Sequence, residues 1–373
     1  MGNSLQRIVI LRKKNPIRLA IDDGVMVTEI IQDDMLEMNA EIETVEPFEF
    51  REQLSNQNAI LSQEFINEIN LLNASWKAGN NFHPGTTVDQ IKMLLGVKPT
   101  PKHLQLPMLV RNVGASVHLP KQFDARKQWP KCRSIRTIRD QGSCASCWAF
   151  GAAEAISDRV CIASNAKFNT LLSAEDILSC CDFCGDGCHG GFPSAAWMYF
   201  VKLGVVTGGL YGDKRTCQPY HFPPCEHHMA GPRPPCGSIK PTPRCKKHCT
   251  NSHYNVTFSH DKHYGRVAYR LSSNQYEIMY EIMTHGPVEA AFQVYSDFAV
   301  YKSGVYVRRS NQFLGGHAIR VLGWGVDYKT RLPYWLCANS WNTDWGENGY
   351  FKILRGVNEC NIEGQMVGGL PKF

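Results

Sequence analysis

Apolar positions recur along this chain with two different periods, and the change of period divides it. Between Ser62 and Phe82, the residues Phe65, Ile66, Ile69, Leu72 and Trp76 fall at helical spacing. Such a stripe predicts an amphipathic helix that needs a partner surface. A second helix is predicted after Ser146, where Ala149, Phe150, Ala153, Ile156 and Val160 mark one face. Past Tyr254 the period shortens. The runs 304–307, 318–322, 334–337 and 350–354 read as strands separated by glycine-rich turns, as in an antiparallel sheet or small barrel. Lys98 to Pro107 holds three prolines and ends regular structure. No internal repeat is visible. The pattern is that of an α+β protein, helical first and strand-rich later.

Composition narrows the class. A chain of 373 residues exceeds one ordinary domain, so two lobes or several segments are expected. Apolar residues at 43% and charged residues at 20% exclude a wholly disordered chain. A net charge of +6 is too mild and too evenly spread to argue for nucleic acid. The longest strictly apolar run, Ala195 to Val201, is far short of a membrane helix, which needs ~20 residues. Eleven acidic residues and only Arg51 as a base lie between Asp22 and Glu52, so residues 1–57 are expected to be a weakly ordered acidic extension. Ile8 to Leu11 is too short for a signal-peptide core, and Gln6 stands where a myristoylation start wants Ser or Thr. All 15 cysteines lie at or after Cys132. Their density argues for disulfides and an oxidising compartment, and their odd number leaves at least one thiol. A cysteine-free leader before a cysteine-rich body reads as a prosegment and a mature domain, with the junction near Leu119.

Chemistry concentrates at Gln141-Gly142-Ser143-Cys144-Ala145-Ser146-Cys147-Trp148. Cys147 falls in the first turn of the helix expected there, where free N–H groups and the helix dipole favour a thiolate. A lone cysteine at a helix start is ordinarily structural. Two distant segments change that. Gly315-Gly316-His317 places a histidine at the start of a strand after a flexible turn, and Asn339 ends another strand. Cysteine, histidine and asparagine can form a thiolate–imidazolium pair with an orienting carbonyl.

From about Glu64 onward the chain resembles the papain family of cysteine proteases, and within it the procathepsin B branch. The segments 124–126, 138–144, 155–159, 303–306 and 338–346 carry the likeness. It implies a two-lobed papain-like fold with a helical lobe and a barrel-like lobe. It also implies an inhibitory propeptide over 58–118 and a peptidase domain over 119–373. Cys147 would be the nucleophile and His317 the general base and then acid. Asn339 would hold the imidazole under the shield of Trp341, and Gln141 would donate to the oxyanion. Gly190, Gly191 and Ala145 would line the substrate cleft, with Ala145 standing where the family has glycine. Gln365 would sit at the floor of the second pocket in place of glutamate, with Asn361 replacing a nearby glycine.

Cys147 and His317 are 170 residues apart, wider than the ~130–150 usual for such enzymes, so something is inserted. Cys225 to Cys236 resembles the occluding loop, whose His227 and His228 would bind a substrate's C-terminal carboxylate and so favour release of dipeptides. Tethers from His227 to Asp140 and from Arg233 to Asp344 are implied. The same resemblance implies the disulfides Cys132–Cys161, Cys144–Cys188, Cys180–Cys245, Cys181–Cys184, Cys217–Cys249 and Cys225–Cys236. Cys147, Cys337 and Cys360 are left over. Asn73 and Asn255 begin glycosylation sequons. The prosegment would run through the cleft in reverse. The expected setting is lysosomal or secreted, with peptide and protein substrates, cystatin-like inhibitors, no cofactor and no metal, as a monomer. Two rival readings stay open. One is a catalytically impaired homologue that binds peptides or inhibitors. The other is a cysteine-stapled zinc module built on Cys181, Cys184, Cys188 and His189, or on the histidine pair between Cys225 and Cys236.

Overall fold

The computed structural model describes residues 59–72, 75–83, 85–110, 118–226 and 231–373. The first part carries α1 (Gln63–Leu71), β1 (Trp76–Ala78), α2 (Val88–Lys92) and β2 (Met108–Leu109). Ser62 caps α1 by accepting from the Phe65 N–H at 3.1 Å, and Phe65, Ile66 and Ile69 turn inward. Helical spacing places Trp76 on this helix, but the helix stops at Leu71. The Asn70 side chain turns the chain back by pairing with both backbone groups of Ala78, at 3.0 and 3.1 Å. Trp76 lies instead on β1, buried against the rings of Tyr301 and Tyr306, and its indole N–H donates to the Val307 carbonyl at 2.9 Å.

The remaining elements are β3 (Phe123–Asp124), α3 (Ala125–Gln128), α4 (Cys147–Ala163), α5 (Ala174–Cys180), α6 (Pro193–Lys202), β4 (Gly265–Leu271), α7 (Gln275–His285), β5 (Val288–Tyr295), β6 (Tyr301–Tyr306), β7 (Phe313–Val326), β8 (Pro333–Ala338), β9 (Tyr350–Leu354) and β10 (Met366–Pro371). The strands form one sheet in the order β1-β6-β9-β8-β7-β5-β10-β4-β2, with β3 paired to β7. Two large apolar cores follow, with a smaller cluster around Ile135, Leu322 and Leu336. One gathers α4, α5 and α6 around Trp148, Ile156, Trp197 and Phe200. The other fills the sheet with Phe292, Phe298, Trp335 and Phe351, and also takes in Phe65, Ile66 and Ile69 of α1. All four runs that read as strands are strands. The glycines before His317 are not a turn, however. Gly315 and Gly316 lie inside β7, opposite Val294 and Gln293. They are small because other chain crosses them: a Cβ on Gly315 would come within 3.1 Å of Leu95, and one on Gly316 within 2.9 Å of the Val97 carbonyl.

Buried arginines tie α4 to the sheet. Arg320 of β7 meets Asp158 of α4 at 2.8 Å and Glu154 at 3.5 Å. Arg159 of α4 meets Glu281 of α7 at 2.9 Å and donates to the carbonyls of Pro287, Gly286 and Gly369. All these side chains are shut from water, so removing one partner strands a charge. Glu281→Ala is expected to cost about 3–5 kcal/mol of stability. Chemical denaturation checks this, and Glu281→Gln, which keeps an acceptor for Arg159, should lose less than Glu281→Ala.

Six disulfides staple the helical half, joining Cys132–Cys161, Cys144–Cys188, Cys180–Cys245, Cys181–Cys184, Cys217–Cys249 and Cys225–Cys236. Cys181, Cys184, Cys188, Cys225 and Cys236 therefore have no thiolate to offer zinc, which overturns the zinc reading built on these cysteines, while the histidine pair between Cys225 and Cys236 lies outside the described residues. Cys147, Cys337 and Cys360 are buried thiols. Among the described residues no helix is long and apolar enough to cross a membrane.

Candidate active site

Cys147 is the first residue of α4, fully buried at the junction of helices and sheet. Its neighbour across the junction is β7, which carries His317, and the backbone N–H of Ala318 faces the sulfur. His317 Nε2 and Asn339 Oδ1 are 2.8 Å apart, with Asn339 just past the end of β8. The Trp341 ring lies 4.7 Å from the imidazole and shields that bond. Gln141 stands beside them. Its Oε1 accepts from the Ser340 hydroxyl at 2.8 Å, which fixes the amide so that Nε2 points into the site. The structure thus brings together Cys147, His317, Asn339, Gln141 and Trp341.

A segment of the N-terminal part, residues 94–98, covers them. The Gly96 N–H sits 3.1 Å from Cys147 Sγ, and Gln141 Nε2 donates to the Leu94 carbonyl at 3.0 Å. Val97 lies between two banks, in parallel with Gly191 and antiparallel with Gly316. Gly191 exchanges hydrogen bonds with Gly96 and Lys98, at 2.8 and 3.0 Å. The Gly190 N–H is spent on the Gly187 carbonyl. Gly96 cannot carry a side chain, because a Cβ there would collide with the Ala145 carbonyl. Ala145 itself adopts no left-handed conformation, so its methyl strains no turn.

The cover changes the chemistry of the pair. Burial pushes the Cys147 thiol up to about 12, against the N–H groups of Ala318 and Gly96 that favour the thiolate. Burial also drives His317 down to about 4, against its bond to Asn339 and the facing Leu94 carbonyl. Desolvation disfavours the charged form of each group, so the covered pair is a neutral thiol beside a neutral imidazole.

The sequence pattern of the papain family cysteine protease domain matches residues 119–370, and that of the peptidase family C1 propeptide matches 61–101. This chain belongs to the papain family of cysteine proteases. Cathepsin B-like cysteine proteinase 4 of Caenorhabditis elegans is 51% identical over 316 residues, 83% of this chain and 93% of that one. A cathepsin B-like cysteine proteinase of Schistosoma japonicum is 49% identical over 318 residues, 84% of this chain and 91% of that one. Among solved structures, procathepsin B S9 of Trypanosoma congolense aligns with a TM-score of 0.73 at 38% identity, over 84% of this chain and 99% of its own.

At one end of the papain-type cleft lies the strap between Cys225 and Cys236. Arg233 bridges Glu226 at 3.0 Å and Asp344 at 2.5 Å, and the Ser143 hydroxyl donates to the Cys236 carbonyl at 2.8 Å. Asp140 accepts from the N–H groups of Gly142 and Cys225 and from Asn342. His227 and His228 lie outside the described residues, and so does Asn73. Asn255 is exposed. Gln365 is exposed in the cleft, beside Val97 and Ala291. Nearby Glu363 is not a substitute charge for it. Glu363 is buried and accepts from Trp335, Gly356 and Asn358.

Sequence reasoning missed the anchors of the cover. Asn81 donates to the Ala299 and Tyr301 carbonyls, at 3.1 and 2.5 Å, and the Phe82 ring lies 6.2 Å from that of Trp341. It also missed the Glu226 clasp on Arg233. Neither leaves a local signal, because each partner is brought by the fold.

Proposed function

We propose that the chain is the zymogen of a cathepsin B-type protease that both cleaves within polypeptides and releases C-terminal dipeptides. The propeptide would comprise residues 58–118 and the peptidase residues 119–373, with residues 1–57 as an acidic extension. Once the cover leaves, the Cys147 thiol passes its proton to His317, and the thiolate attacks the scissile carbonyl. The oxyanion takes hydrogen bonds from Gln141 Nε2, freed from Leu94, and from the Cys147 N–H. His317 then protonates the leaving amine, and a water deprotonated by the same ring hydrolyses the thioester. Asn339 holds the ring throughout. The impaired-homologue reading has no support in this site, since no catalytic group is missing.

The observation that carries the dipeptide reading is the strap itself. Its ends are closed by Cys225–Cys236 and braced on Asp344 through Arg233, which supports a loop held across one end of the cleft. With His227 and His228 charged below about pH 6.5, it would hold a substrate carboxylate by charge-assisted hydrogen bonds. Six disulfides and an exposed sequon at Asn255 support a lysosomal or secreted setting. Peptide and protein substrates and cystatin-like inhibitors are the proposed partners of a monomer. Deleting Glu226 to Pro235 in the mature enzyme tests the reading. Dipeptide release should be lost and internal cleavage should rise. Unchanged dipeptide release would refute the strap's role.

A further inference from the structure

Beyond the catalytic pair, the cleft opens into a cavity of about 280 Å³. Five of its walls, Val97, Pro99, Thr100, Gln105 and Leu106, belong to the cover and leave with it. What stays is apolar at Pro193, Ala291 and Met366, and polar at Ser194, Gln365 and Arg270. Arg270 is the one charged side chain among the lining residues. Sheet register puts it there: β4 pairs with β10 so that Arg270 lies opposite Val367, two residues past Gln365. Its backbone N–H is taken by the Pro107 carbonyl, while its side chain is exposed. The acidic groups that could neutralise it are spent elsewhere. Glu363 faces Trp335 and the backbone of Gly356 and Asn358. Glu289, on β5 two residues before Ala291, is buried and accepts from the Trp197 indole at 2.9 Å.

We propose that this pocket selects an acidic side chain, glutamate above all, at the second residue before the scissile bond, with Arg270 as the residue that determines it. The inference rests on the protease reading and specifies its substrate class. A glutamate entering past Pro193 and Ala291 would place its methylenes on the apolar wall. Its carboxylate would then meet the Arg270 guanidinium, with the Gln365 amide as a second donor. An arginine there meets like charge, and a phenylalanine leaves Arg270 without a partner.

The test uses mature enzyme titrated on Cys147 and matched fluorogenic peptides with Glu, Gln, Arg or Phe at that position. Assays run at pH 6, where glutamate is ionised. The Glu-over-Gln ratio of kcat/KM is expected to be about two- to fivefold, the range that a partly exposed ion pair supplies, and to shrink in 1 M salt. Arg270→Gln should abolish the ratio, and Arg270→Lys should keep most of it. Gln365→Glu should lower turnover of the Glu peptide and raise that of the Arg peptide. A Glu peptide no better than its Gln twin overturns the proposal, as does a ratio unmoved by Arg270→Gln. If no peptide is hydrolysed, the protease reading fails instead. The same ratio is then read as binding affinity, and its absence there overturns the pocket assignment.

Discussion

Cys147→Ser is expected to cut peptide hydrolysis by at least about a thousandfold while leaving thermal stability nearly unchanged. A hydroxyl is a far weaker acid than a thiol, and this site is arranged for a soft, low-pKa nucleophile at the head of α4. Catalytic groups that act as one unit lose most of their effect when one is removed, with measured losses reaching ~10⁶ in such sets. The fold should tolerate the change, since Cys147 forms no disulfide and oxygen is smaller than sulfur. The measurement is kcat/KM on an internally quenched peptide after removal of the cover, with circular dichroism as the control. Activity within tenfold of the parent would remove Cys147 from the nucleophile's role. His317→Ala should fall in the same range, because without the imidazole to take its proton the Cys147 thiol stays protonated.

The second large effect concerns the intact zymogen. Burial pushes the covered Cys147 thiol up to about 12, so at neutral pH it carries far less thiolate than an ordinary exposed thiol, a few per cent of which is ionised. Iodoacetamide should therefore label Cys147 at least about a thousandfold more slowly in the zymogen than in the uncovered enzyme. Mass spectrometry of the peptide containing Cys147 reads the rates, and equal rates would sink the idea that the cover silences the pair. The sign of the pH effect follows from His317. Its pKa is depressed in the covered state, so the uncovered state binds the proton more readily. The covered state loses relative stability as pH falls from about 6.5 through about 4. Acid should loosen the cover, measurable as faster labelling after a pH drop.

Much of this was legible in the sequence, and the limits have physical causes. Cys147, His317 and Asn339 announce themselves because each sits at an element boundary or beside glycines whose reason is chain crossing. The four late strands follow from their apolar runs, since strand patterning is local. Trp76 misleads because a strand residue can fall at helical spacing by chance. Its true partners, Tyr301 and Tyr306, lie more than two hundred residues on. The disulfide pairing could be read only through resemblance, because spacing alone leaves too many connectivities. Arg270 carries no local mark at all. Only the register of β4 on β10 brings it to the cleft.

Arg320 is three residues past His317 on one strand, and Asp158 is eleven past Cys147 on one helix, so their contact clamps the two supports of the catalytic pair directly. None of those four residues belongs to the cover. The machinery is finished before it is ever used, and maturation is subtraction, with no part left to build. The detached cover, supplied again in excess, should bind the same open cleft and switch the enzyme off without any chemical change.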